Sequence, residues 1–176
     1  MDLPCKDARP FAVEIALTVK TYDVDFSGVV SQLTYHRWLE ELWVAMLTRH
    51  DAIQRPIDEG HVPVVARTAL HALRATGLGD TVQARMWLSA VGRSRWTLTA
   101  EFEGRAGLLA RAEQSGCFVD LETRRPLPLP APVARLRRSV SSPAADRQAQ
   151  VTPGTARMAE PGRLRRLLGA RPPGEP

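Results

Sequence analysis

The segment Tyr22–Glu41, YDVDFSGVVSQLTYHRWLEE, sets two carboxylates, Asp23 and Asp25, one residue apart, with Gly28 three positions after the second, directly before a helical pattern. An aspartate at the mouth of a helix does one of two things. It satisfies free backbone N–H groups of the loop or helix start, or it offers an ionised oxygen as a nucleophile or general base. Other chemistry has little material in this chain. There is no His-Glu-His metal pattern, no phosphate-cradling glycine loop and no Ser-His-Asp order, and His50, His61 and His71 lack a nucleophile partner. Cys5 and Cys117 supply neither a disulfide framework nor metal-ligand spacing and read as free thiols.

Elements on both sides must hold those aspartates. From Phe11 to Val19 every odd position is apolar, with Glu14, Thr18 and Lys20 between or beside them, which is the alternation of a half-buried strand. From Thr34 to His50 the residues Tyr35, Trp38, Leu39, Leu42, Trp43, Met46 and Leu47 recur every three or four positions, giving a helix with one broad apolar stripe. Arg37, Glu40, Glu41 and Arg49 form its solvent side. A loop is expected at Arg55–His61, then a strand over Val62–Leu73 closed by the turn TGLGD at Thr76–Asp80. Two further alternations, Val82 to Ala90 and Trp96 to Phe102, should pair antiparallel across the Gly92 turn. Leu108–Leu121 reads as a fifth strand whose register is disturbed near Ser115–Gly116.

This order predicts an α+β domain in which a five-stranded antiparallel sheet curls around one long helix, because each has one apolar face to hide. Such a sheet has open edges, and Trp87 points outward while Met86 and Leu88 point in. Edges of this kind are commonly managed by pairing, so a homo-oligomer that extends the sheet is expected.

Composition narrows the function classes. The chain has 176 residues, 44% of them hydrophobic, which suits one ordinary domain. No apolar run approaches the ~20 residues of a membrane-spanning helix, and the N-terminus has no secretory apolar region, so a cytoplasmic protein without a membrane span is expected. The net charge of +5 divides unevenly: residues 131–176 carry +6 and residues 1–130 carry −1. Lys occurs only at positions 6 and 20, the other 22 cations being Arg, a bias of genome composition more than of a phosphate-binding face. No nucleic-acid partner is expected on this ground. Half of the 14 prolines lie beyond residue 131, without aromatic residues or apolar period. The expected boundaries are a domain over residues 8–128 and a disordered basic tail over 129–176. Within the tail GRLRRLLG, Gly162–Gly169, reads either as a docking peptide or as solvated chain.

The stretch TYDVDFSGVVSQLTYHRWLEE resembles the strand-to-helix signature of the hot-dog-fold thioesterases of the 4-hydroxybenzoyl-CoA type. GRSRWTLTAEFE at Gly92–Glu103 and FVDLETRRPLPLP at Phe118–Pro130 are similar to later strands of that family. The resemblance spans roughly residues 10–130. It implies a hot-dog fold, hydrolysis of an acyl or aroyl thioester of coenzyme A or of an acyl carrier protein, and a dimer or tetramer with the site at the subunit interface. It implies no cofactor and no metal. Asp25 then occupies the catalytic carboxylate position, as nucleophile or as base for water. The backbone N–H of Gln32 is the oxyanion donor, and Gly28 permits the tight loop. Arg93 and Arg95 flank the turn where relatives hold the nucleotide end of coenzyme A; a solvated hairpin is the competing reading. Thr34 and Tyr35 complete the substrate-side set, and Asp23 is assigned to structure. Gln32 and Thr34 depart from the His or Tyr and the Asn of many relatives. That departure motivates an alternative: a hot-dog module that binds an acyl chain, a carrier protein or another partner without hydrolysis.

Overall fold

The computed structural model describes residues 9–140. Cys5, Gly162–Gly169 and the tail from residue 141 onward lie outside the described residues. The elements run β1 Val13–Thr18, α1 Gln32–Arg49, α2 Asp51–Asp58, β2 His61–Ala72, β3 Thr81–Val91, β4 Arg95–Gly104, β5 Gly107–Asp120, β6 Pro126–Leu127, α3 Ala131–Arg135 and a 3-10 turn over Leu136–Arg138. The sheet is antiparallel, in the order β1-β3-β4-β5-β2, with β6 added to β5. The expected α+β hot-dog arrangement is present: one long helix lies against one face of the sheet.

Cross-strand pairing explains how the helix fits. Phe102 stands between Ala84 and Ala110, and Ala100 between Met86 and Ala112, so large side chains alternate with small ones across β3, β4 and β5. The alanines leave room for Tyr35, Trp38, Leu39, Leu42 and Met46 of α1, all buried. Each such side chain contributes roughly 1.5–3 kcal/mol by leaving water. One polar group sits inside this face. Gln114, 3% exposed, accepts from Trp43 Nε1 at 2.8 Å and donates to Thr68 Oγ1 at 3.2 Å. A Gln114→Leu change keeps approximate volume and leaves the indole N–H unpaired. It should lower unfolding stability by about 1–3 kcal/mol in a denaturant titration.

Several boundaries differ from those read in the sequence. Phe11 lies before β1 with φ +55°, its ring edge-on to His50 at 5.3 Å, and Val19 follows the strand. The expected loop at Arg55–His61 is largely replaced by α2, a short helix that contains Pro56. The proline read as a breaker, yet eight residues are too few for a periodic signal. The register break belongs to β2: Val65 pairs with Gly116 and Arg67 with Ser115, so Ala66 is the extra residue. Gly116 marks instead a close approach of Trp96 and of the Val64 carbonyl. The sheet gains a sixth, two-residue strand. The packed chain also runs past residue 128: Leu129 and Val133 are 7% and 3% exposed, and α3 follows Pro130.

Candidate active site

The loop between β1 and α1 is a small hairpin of its own. Val24 bridges Val30, the Asp25 N–H donates to Val29 O at 2.9 Å, and the Gly28 N–H donates to Asp25 O at 3.0 Å. Gly28 closes it at φ +79°, a conformation that favours glycine. The tip presents Phe26, fully exposed. The hairpin is fastened to the sheet where Val29 bridges Gly77 and Val30 N–H donates to Thr76 O at 2.9 Å. The Asp80 carboxylate in turn accepts from Thr76 Oγ1 and the Gly77 N–H, at 2.9 and 2.8 Å.

The two aspartates have different work. Asp23, 5% exposed, accepts the Lys20 N–H on Oδ2 at 2.9 Å and lies 3.7 Å from Arg37 Nη2, while its carbonyl accepts from Ser31 N–H and Thr34 Oγ1. It is a structural residue that holds the turn to the helix. Asp25 is exposed and points its Oδ1 at Ser27, whose hydroxyl and N–H both donate to it. The Ser27 hydroxyl, and then its N–H, hold the Asp25 carboxyl below the usual carboxylate range, against a small opposing desolvation. Asp25 is therefore ionised at neutral pH. Ser27→Ala removes the larger of the two donors, so the Asp25 carboxyl should titrate at higher pH in an NMR titration than in the unaltered chain.

The helix start follows this hairpin directly in the chain. Ser31 is the N-cap, with φ −71° and ψ 155°, and its Oγ accepts from Thr34 N–H at 3.2 Å. The helix thus begins two residues earlier than Thr34, and Gln32 is its first residue. The N–H groups of Gln32 and Leu33 have no intrahelical acceptor, and no acidic residue occupies the first turn. Free N–H groups at the positive end of a helix dipole are able to bind an anion.

The remaining residues of the expected set are distributed unevenly. Thr34 is buried, bridging Asp23 O, Ser31 Oγ and Arg37. Tyr35 is buried edge-on against Trp38 and Phe102, and burial raises its phenol pKa. In this chain both side chains are buried and brace the start of α1. Arg93 and Arg95 are exposed at the far end of β3, eleven residues and roughly 30 Å from the Asp25 end. One chain does not bring them to Asp25. Sequence reasoning passed over Ser27, Ser31 and Arg37. The spacings Asp25-x-Ser27 and Ser31-x-x-Thr34 carry the first two as turn and cap signals; Arg37 reads only as solvent-facing.

A family model, described as the thioesterase-like superfamily, matches residues 19–136. The chain belongs to that superfamily. Solved structures with this fold include a 1,4-dihydroxy-2-naphthoyl-CoA thioesterase from Synechocystis, 20% identical, TM-score 0.62, covering 75% of this chain and 99% of that one. A DHNA-CoA thioesterase from Staphylococcus aureus is 16% identical, TM-score 0.61, covering 80% and 97%. A 4-hydroxybenzoyl-CoA thioesterase variant bound to 4-hydroxybenzoyl-CoA is 16% identical, TM-score 0.62, covering 71% and 97%. No match is found among curated proteins. In this thioesterase-like chain no described helix is long and apolar enough to cross a membrane.

Proposed function

We propose that the chain is a thioesterase acting on an acyl or aroyl thioester of coenzyme A or of an acyl carrier protein. The observation that carries this reading is an exposed carboxylate, Asp25, held by the Ser27 hydroxyl and N–H in the hairpin that leads into α1. In one route an Asp25 oxygen attacks the thioester carbonyl, the C–S bond breaks, the thiolate leaves, and water cleaves the mixed anhydride. In the other, Asp25 takes a proton from the attacking water. Both build negative charge on the carbonyl oxygen, and the Gln32 N–H is the donor for it in this reading, with Gly28 shaping the approach.

An oligomeric site suits the surface. β2 is an edge strand of twelve residues with Val64 exposed, and Phe26, Leu33 and Tyr22 stand exposed near Asp25. Pairing of two β2 edges would extend the sheet and cover unsatisfied backbone groups. Such antiparallel pairing inverts one protomer relative to its mate, so the Arg93 and Arg95 turn of one lies toward the Asp25 end of the other. The arginines then meet the phosphates of coenzyme A through bidentate contacts.

The test is thiol release from a panel of acyl-CoA, aroyl-CoA and acyl-carrier-protein thioesters. Turnover supports the reading. Tight binding of a thioester analogue without turnover across the panel overturns hydrolysis and leaves the binding module.

A further inference from the structure

The end of the molecule away from Asp25 is cationic. The segments 91–97 and 120–140 hold seven arginines and two acidic residues. The structure draws these segments together. Val133 of α3 packs into the core, and Arg137 donates through Nε and Nη2 to Gly92 O at 3.1 and 2.8 Å and through Nη2 to Arg93 O at 3.3 Å. The strap over 129–140 is thereby pinned to the β3–β4 turn. Beside it lies an open hollow lined by Ala131, Ala134, Arg135, Arg137 and Arg138. Arg93, Arg95, Arg124, Arg125, Arg135 and Arg138 are all exposed. Arg37 pairs with Asp23, Arg85 with Glu103 and Arg111 with Glu101, all away from this end. Exposed Asp51 and Glu59 also line a hollow with Pro130, Ala131 and Pro132 of the strap, while Asp120 is occupied by the Thr123 N–H and hydroxyl at 2.6 and 2.7 Å.

This charge is spread over three separate segments: the β3–β4 turn, the β5–β6 turn and the strap. A single phosphate group uses one or two guanidinium groups, so a spread of this width fits an extended anionic surface. The hollow is lined by alanines as well as arginines, so an acidic helix can pack on it. Outside these segments residues 1–130 carry eleven cations against fourteen acidic residues, so the excess positive charge lies in the segments.

We propose that this arginine end docks an acidic acyl carrier protein, which presents its thioester on a phosphopantetheine arm. The proposal rests on the thioesterase reading and names the carrier for it. In the two-fold pairing across β2, the docking end of one protomer lies toward Asp25 of its mate, so the arm enters the site from the arginine end.

The experiment measures binding of purified holo acyl carrier protein to the full chain by calorimetry, alongside R135E/R138E and, from a different segment, R93E/R95E. Each pair should weaken binding at least about tenfold, and binding to the unaltered chain should fall steeply with salt, as complementary charge requires. In hydrolysis assays of R135E/R138E, KM for the carrier thioester should rise while kcat holds. Carrier binding unchanged in both charge-reversed pairs overturns the proposal, as does a duplex oligonucleotide that binds as tightly and displaces the carrier. The two readings fail separately. Arginine-dependent carrier binding without thiol release from any thioester retains the dock and removes the thioesterase; efficient release from coenzyme A thioesters without carrier binding does the reverse.

Discussion

Asp25→Asn is expected to reduce thioester hydrolysis by about 10²- to 10⁴-fold, the usual worth of a positioned carboxylate in acid–base or nucleophilic chemistry. The change should leave the fold alone. Asp25 is exposed, its backbone bonds to Val29 and Gly28 do not involve the side chain, and an asparagine Oδ1 still accepts from Ser27. What disappears is the charge, which both routes require. Because the active form is the carboxylate and Ser27 holds its pKa below the ordinary value of 3.8, kcat/KM should be flat through neutral pH on this account. The rate falls only as pH drops through that lowered pKa, as Asp25 takes up a proton. Ser27→Ala moves this acid limb upward without removing the carboxylate, a result that a purely loop-capping Asp25 would not give. Loss of turnover in a folded Asp25→Asn protein ties the chemistry to Asp25; undiminished turnover assigns it elsewhere.

Much of this architecture is legible in the sequence, for a physical reason. β3 and β4 alternate cleanly because one face is fully buried against α1, and α1 keeps a broad stripe because it lies along that face. Asp25 and Gly28 are legible because a tight hairpin before a helix restricts residue types locally. The misses come from interactions remote in sequence. Val133 has no periodic context of its own and is buried because Pro130 turns the chain back onto the core. That Tyr35 packs edge-on against Phe102, 67 residues on, is likewise visible only in the folded chain. That Arg93 and Asp25 stand at opposite ends of β3 within one chain shows only once the strand is given its length. Gly116 looks like a bulge because the sequence does not show what its missing side chain makes room for.

That missing side chain underlies the largest stability effect expected in the described residues. A Cβ added at Gly116 would lie 2.0 Å from Val64 O, 2.4 Å from Trp96 Cζ2 and 2.8 Å from Trp96 Cη2. Neither neighbour yields easily. Val64 O belongs to the backbone of β2, whose residues 64 and 65 pair with Cys117 and Gly116, and the Trp96 indole is buried edge-on against Trp43 at 5.2 Å. Gly116→Ala should therefore cost about 3 kcal/mol or more, at the upper end of overpacking effects, and lower Tm on the order of 10 °C. Gly104→Ala is the matched comparison. Its Cβ would meet Leu109 Cδ1 at 2.8 Å, a side-chain atom and not backbone. Its effect should be much smaller in the same thermal melt. The contrast separates two sources of cost. If only the indole resisted, Trp96→Leu would restore the Gly116→Ala protein to the stability of Trp96→Leu alone. The Val64 carbonyl stands nearer still, so restoration should be partial, with the remainder arising from displacement of the β2 edge relative to β5.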